Sequence, residues 1–150
     1  MAMQYQDRPW ITVKDAHPTL IEADKQINGV IAVTNSGKSP AFDTTSDATM
    51  FVTTNESLDV DPLTGHPEYD VTHDLVTPNV DAIISVHSKG KPTAVEVERL
   101  KQPDTRFYFY GNITYRDNVS IHHTQFCYFT FPGLNGMRSC VGKRYKNTAD

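Results

Sequence analysis

The chain has 150 residues, of which 38% are hydrophobic and 21% charged, the size and composition of a single globular domain. Its net charge of −4 argues against nucleic-acid binding, which needs a basic surface, and no run approaches the roughly 20 apolar residues of a membrane span. The nine prolines and eight glycines indicate many turns and few long helices.

The first half of the chain alternates apolar and polar residues in short runs, which is the pattern of half-buried β-strands. Strands are predicted at 8–13, 19–23, 27–34, 41–54 and 80–87. Pro9 marks a sheet edge, and Trp10 is expected to pack inward. Residues 55–79 are rich in Asp, Thr, Pro and Gly and predict one long irregular connection.

A single helix is predicted over residues 92–101. Pro92 suits a first helical turn, and the helix must end before Pro103. Ala94, Val97 and Leu100 recur at three-residue spacing, so this stripe is expected to face the core.

The densest concentration of aromatic and β-branched residues lies at 106–131 and predicts a central antiparallel hairpin. In its first arm Phe107 and Phe109 fall on one face, and Tyr108 and Tyr110 on the other. The second arm is apolar on both faces, as is typical of a strand with a layer packed over each side. A last strand is predicted at 139–145.

The hairpin turn carries an acid and a histidine. The Asp117 carboxylate is placed to accept hydrogen bonds from turn amides two residues on. His122, across the hairpin, is placed to donate to Asp117 or to a backbone carbonyl. This structural role, which fixes the register of the two arms, is preferred to catalysis or metal binding.

Two nucleotide- or ion-binding motifs fail on inspection. Gly37-Lys38-Ser39 would need an earlier glycine where Ala32 stands, so a phosphate loop is rejected. The acidic stretch 59–65 begins like a calcium loop but lacks an oxygen ligand at the fifth position and the distal glutamate. Both are interpreted as turns, and no cofactor is predicted.

Histidines supply the alternative hypothesis of a metal-dependent or hydrolytic site. His122 and His123 are adjacent on a strand and point to opposite faces, so a metal would need further ligands such as His73, His87 or Asp117. No ligand spacing demands this arrangement.

Three tyrosines, Tyr108, Tyr110 and Tyr128, are candidates for a ligand platform, although packing is the more common use of such rings. Cys127 and Cys140 either form a disulfide or remain buried thiols. Cys127 is a poor nucleophile candidate because it lies mid-strand among aromatic residues.

Several short segments are similar, in the same order, to an uncharacterised family of bacterial membrane-anchored domains. They are Arg8-Pro9-Trp10, the segment 35–41, Tyr110 to Asp117, His122 to Cys127 and the segment 147–150. The chain departs at the hairpin turn, where Val119-Ser120 replaces the usual Phe-Gly. The resemblance implies an upstream membrane anchor and an extracytoplasmic location, and it favours the disulfide; it implies no catalytic residue.

The sequence therefore predicts a mainly-β, antiparallel immunoglobulin-like sandwich with one short helix over residues 8–150, after a disordered or expression-derived segment 1–7. The preferred function is a non-catalytic binding or protein-interaction domain for an unknown protein or small ligand, touching a membrane only through its anchor. Two alternatives stay open: an enzyme or metal site around His122, His123 and Asp117, and a structural spacer.

Overall fold

The computed structural model describes residues 7–53, 70–88, 90–132, 136–140 and 147–150, with the side chains of 70–74 left aside. Its strands are β1 (Ile11–Leu20), β2 (Asn28–Asn35), β3 (Ala41–Thr53), β4 (Asp70–Val76), β5 (Asp81–His87), β6 (Arg106–Arg116), β7 (Ile121–Thr130), β8 (Arg138–Ser139) and β9 (Thr148–Ala149). The helix α1 spans Ala94–Leu100.

The strands form two antiparallel sheets. One has the order β1-β2-β5, and the other has the order β4-β3-β6-β7-β8, with β9 also pairing with β7. Ile31 and Ile84 from the small sheet share one buried cluster with Phe109, Ile113 and Phe126 from the large sheet. The predicted mainly-β antiparallel sandwich with one short helix is confirmed.

Strand β6 is the centre of the large sheet and is buried on both faces. Phe107 and Phe109 lie in the main core, while Tyr108 and Tyr110 lie in a second cluster on the outer face. Gly111 lets β6 approach β3 closely, because a Cβ there would lie 2.6 Å from the Cα of Ala48. The predicted hairpin and its facing pattern are confirmed.

The first two predicted strands are one strand. β1 runs continuously from Ile11 to Leu20 along β2, with register shifts between Val13 and Asp15 and between Pro18 and Leu20. These irregularities interrupt the alternation that would otherwise have indicated a single strand. Trp10 is half-buried rather than turned inward, and the Arg8 guanidinium lies 3.4 Å from its ring centroid.

The long irregular connection predicted at 55–79 is wrong in its last part, because β4 pairs with β3 from Ala48↔Asp70 to Ala41↔Val76. β4 is an edge strand, and edge strands are short and polar, so composition alone made it resemble a loop. Residues 54–69, including the acidic stretch 59–65, lie outside the described part of the chain.

The helix is a surface element, and the prediction that its stripe faces the core is wrong. None of its residues is buried: Ala94 is exposed, and Leu100 alone packs partly against the core. Its stability comes from its start, where Thr93 and Glu96 form a capping box. Pro92 precedes the cap instead of opening the first turn.

The C-terminal part is paired along β7 in two short pieces. Of the strand predicted at 139–145, the structure describes only the beginning, as β8, and 141–146 lie outside the described residues. β9 was not predicted, because two exposed residues carry no periodicity. Within the described ranges, no helix is long and apolar enough to cross a membrane.

Asn35 joins several parts of the fold at the end where β2 stops. Its buried side-chain oxygen accepts from the amides of Trp10 and Gly37, both at 3.0 Å. Its side-chain nitrogen donates to the carbonyls of Ser39 at 2.8 Å and Val76 at 3.1 Å. One amide group thus links both sheets and orders the 36–40 turn, where a phosphate loop had been rejected.

We expect Gly111→Ala to lower the free energy of unfolding by about 2 kcal/mol, because the added methyl group must push β3 and β6 apart. Urea denaturation measures this. Gly90→Ala is the matched control, since a Cβ there meets nothing within 4 Å, and its change should stay within about 0.5 kcal/mol. Equal stability of the two variants would contradict the close approach of the strands.

Candidate functional site

A cleft of about 510 Å³ opens at one end of the sandwich. Among the described residues, four parts of the chain meet there: the residue before β2, the end of β3, Ser88 with residues 90–92 after β5, and α1. Their convergence follows from the pairing, because Asn28 lies beside His87 and Thr53 lies beside Arg106. Ile27, Met50, Val52 and Leu100 make the wall of the cleft predominantly apolar.

Ser88 holds one wall of the cleft in place. Its amide donates to the Ile27 carbonyl at 2.8 Å, and its hydroxyl accepts from the Ile27 amide at 3.1 Å. The same hydroxyl donates to the Gly90 carbonyl at 3.0 Å. The Asp24 amide donates to the Pro92 carbonyl at 2.8 Å. Ser88 and Pro92 are therefore tied by backbone bonds to residues just before β2.

Three charged side chains line the rim, and two of them are engaged within the domain. The Arg99 guanidinium forms a two-point ion pair with Asp104, with both N–O distances at 3.0 Å. A carboxylate oxygen of Glu96 accepts from the Thr93 amide at 3.2 Å. Lys91 is exposed and forms neither an ion pair nor a hydrogen bond with any residue that the structure describes.

The Asp117–His122 pair lies at the opposite end of the sandwich, at the turn between β6 and β7. One oxygen of Asp117 accepts from the amides of Val119 at 2.6 Å and Ser120 at 2.7 Å. Its other oxygen accepts from Nε2 of His122 at 2.7 Å. The structure thus brings together the two residues that were predicted to fix the hairpin.

The Asp117–His122 pair is buried, and its hydrogen bonds differ from those of a catalytic triad. The exposed fractions of the two side chains are 7% for His122 and 5% for Asp117. The Ser120 hydroxyl lies 3.4 Å from the same Nε2 atom that binds Asp117. In a serine–histidine–acid triad the acid and the serine occupy opposite ring nitrogens, so this arrangement is not one. The ring of Tyr115 lies against His122, with centroids 5.6 Å apart.

Two opposing effects set the pKa of Asp117. Burial alone raises the pKa of the carboxyl, but the hydrogen bonds from His122, Ser120 and Val119 outweigh it. The pKa of Asp117 is therefore lowered from its ordinary 3.8. The folded protein keeps this group ionised, which matches its role as acceptor of three hydrogen bonds.

The hypothetical metal ligands are not assembled around this pair. His123 points to the face opposite His122 and lies 3.3 Å from the Thr114 hydroxyl. Among the described side chains, no group of three or more His, Cys, Asp or Glu residues is close enough to hold a metal ion. His73 lies in β4, but its side chain is outside the described part; His87 ends β5 at the far end of the sandwich.

The three tyrosines do not form one platform. Tyr108 and Tyr110 are buried on the outer face of the large sheet, beside Cys127 and Phe129. Tyr128 pairs with Phe109 on the opposite, core-facing side. The prediction of a shared platform is wrong, because neighbouring side chains on a strand alternate between its two faces and Tyr128 falls on the face opposite Tyr108 and Tyr110.

The Sγ atoms of Cys127 and Cys140 are 1.92 Å apart, at disulfide distance. The link joins the middle of β7 to the residue after β8 on the outer face. Asn147 continues this attachment: its side-chain oxygen accepts from the Cys127 amide at 2.8 Å, and its nitrogen donates to the Cys127 carbonyl at 3.2 Å. A side-chain amide thus takes the place of a neighbouring strand.

Sequence reasoning missed the cleft. The capping box at Thr93 and Glu96 is readable from sequence and would have placed Lys91 just before the helix. The convergence of positions 27, 50–53 and 88–100 was not readable, because it depends on the order of strands in two sheets.

Comparisons with protein-family models, with curated proteins and with solved structures find no match for this chain. The resemblance to membrane-anchored bacterial domains therefore stays a prediction.

We expect Asp117→Asn to lower the free energy of unfolding by about 2 kcal/mol near neutral pH, because a buried acceptor of three hydrogen bonds is impaired. A carboxyl with a lowered pKa stabilises the fold above its unfolded pKa and loses that effect as pH falls. The difference between wild type and variant should therefore shrink as pH falls below 3.8. Denaturation across the acid range measures it.

Asp104→Asn is the control for that experiment, because Asp104 is an exposed ion-pair partner. Its effect on stability should be clearly smaller at neutral pH, because water screens an exposed ion pair. If Asp117→Asn lowered the free energy of unfolding equally at every pH, the charge of Asp117 would play no part in fixing the hairpin.

Proposed function

We propose that this chain is a non-catalytic binding domain that takes an apolar ligand, or an apolar part of one, into the end cleft. The proposal rests on the volume and the lining of this cleft. Its volume of about 510 Å³ falls in the range of roughly 300–1,000 Å³ that is usual for small-molecule sites. Apolar walls with a few polar groups at the rim are the usual make-up of such sites.

The construction of the two ends supports a binding role. At the turn end, Asn35, Asp117 and His122 are buried and bonded within the domain. At the cleft end, Phe51 and Lys91 are exposed at the rim of an open apolar space. The buried acid–histidine pair is used for the fold, and no histidine is found among the described residues that line the cleft.

We further propose that the domain is an immunoglobulin-like sandwich on the extracytoplasmic side of a bacterial membrane, held there by an anchor. The Cys127–Cys140 pair at bonding distance is compatible with an oxidising compartment. The anchor rests on the sequence resemblance alone.

Ligand mapping by NMR tests the binding role. A library of small apolar fragments should shift the amide signals of Ile27, Val52 and Leu100 and leave those of the Asp117 turn unchanged. Gly90→Phe should weaken the best fragment at least tenfold, because Gly90 lines the cleft and a Cβ there meets no atom within 4 Å, which leaves room for a ring that competes with the ligand.

Val95→Phe is the matched control, since Val95 is 80% exposed and does not line the cleft. It adds the same ring to the same region without blocking the mouth. Fragments that bind equally to wild type and Gly90→Phe, or that map to another surface, would contradict the proposal.

The state of the two cysteines tests the proposed extracytoplasmic location. Protein folded in an oxidising compartment should show no titratable thiol when denatured without reductant. Replacing Cys127 and Cys140 together by alanine should cost about 3 kcal/mol of stability, as expected for a bond that closes a loop of separation 13. Two free thiols in oxidatively folded material would contradict the assignment.

A further inference from the structure

We propose that the ligand of the end cleft is a free single-chain amphiphile with an anionic carboxylate head, its apolar chain inside and its head at Lys91. This inference rests on the proposed binding function and names the ligand class.

The apolar part of the ligand follows from the walls. Met50 is buried at the base of the cleft, and Val52 and Leu100 are half-buried beside it. The groups that hold the neighbouring wall, such as the Ser88 hydroxyl, are bonded within the protein. An inserted polar group would lose its water without gaining partners there, so an unbranched hydrocarbon fits better.

The charge of the head follows from which rim groups are already engaged. Arg99 is neutralised by Asp104, and the Glu96 carboxylate, which keeps its negative charge, accepts a hydrogen bond from the Thr93 amide. Lys91 is the charged lining residue that has no partner within the described part of the chain. Because Lys91 is exposed at the mouth, an anionic head can meet it while staying in water.

A free amphiphile is favoured over a membrane surface. Recognition of anionic membranes uses clusters of about 4–8 basic residues. Among the described residues that line the cleft, Lys91 is the one cation without a partner, and the net charge of the chain is −4. An anionic bilayer would therefore be repelled overall, whereas a single carboxylate needs only the local charge of Lys91.

Three ligands that share a ten-carbon alkyl chain but differ in head group test the proposal: decanoate, decanol and decyltrimethylammonium. Each is titrated calorimetrically below its micelle concentration. Wild type should bind decanoate best and the ammonium worst. Lys91→Gln should weaken decanoate by about fivefold, the size of an exposed ion pair, and leave decanol unchanged. Lys91→Glu should reverse the order of decanoate and the ammonium.

Lys101→Glu is the matched control, because it changes the net charge identically at an exposed lysine that pairs with Glu98 outside the cleft. It should leave all three affinities within about twofold, since screening confines surface charges to a Debye length.

The experiment distinguishes failure of the proposed binding function from failure of the proposed ligand class. If none of the three ligands binds, the cleft is not an apolar site, and the proposed function fails together with this inference. If decanol binds as tightly as decanoate, or Lys91→Glu changes nothing, the binding function survives and the carboxylate assignment is wrong. Binding to phosphatidylglycerol vesicles without binding to decanoate would overturn the free amphiphile.

Discussion

Strand β6 is apolar on both faces, and the rest of the structure is arranged to cover it. Aromatic residues on the two faces cannot be buried by one partner layer. The small sheet covers Phe107 and Phe109, which with Ile113 form the centre of the core. Tyr108 and Tyr110 need a second cover on the outer side, where Cys127, Phe129, Phe131 and Cys140 pack against them. The domain is therefore a sandwich with an additional outer cluster.

Strands β8 and β9 extend the large sheet beyond β7, and with two residues each they need further attachment. The attachment runs along β7: β8 pairs at Tyr128 and Phe129, and β9 pairs at Thr124 and Gln125. Between them the Cys127–Cys140 link and the Asn147 side chain fill the gap. The same arrangement covers the edge of β7, a surface on which another chain would otherwise pair.

The sequence predicted those elements whose burial imposes a period. Strands β2 and β5 alternate because each has one buried face, and β6 and β7 were recognised by their dense aromatic and β-branched residues; all four were located within about two residues. β4 was missed because it lies in a stretch rich in Asp, Thr, Pro and Gly, and β1 was divided because its irregular register breaks the alternation. The helix was predicted for its spacing and placed wrongly, because the capping box that holds it is independent of any core contact. The Asp117–His122 pair was predictable because both partners are close in the chain; the cleft was not, because its lining residues are brought together only by the strand order.

The two ends of the sandwich differ for a physical reason. At the turn end, polar side chains are surrounded by protein and must be satisfied there, so Asn35 makes four hydrogen bonds and Asp117 accepts three. A site saturated in this way has little capacity left for a ligand. At the cleft end, the buried hydroxyls of Ser88 and Thr105 are also bonded within the domain, but the surface helix covers only part of the apolar wall that the described residues form. Apolar wall that the fold leaves open to water gains free energy when an apolar group covers it. The binding site is therefore expected where the described part of the fold leaves apolar wall open, and we propose that Lys91, which has no partner among the described residues, selects an anionic ligand there.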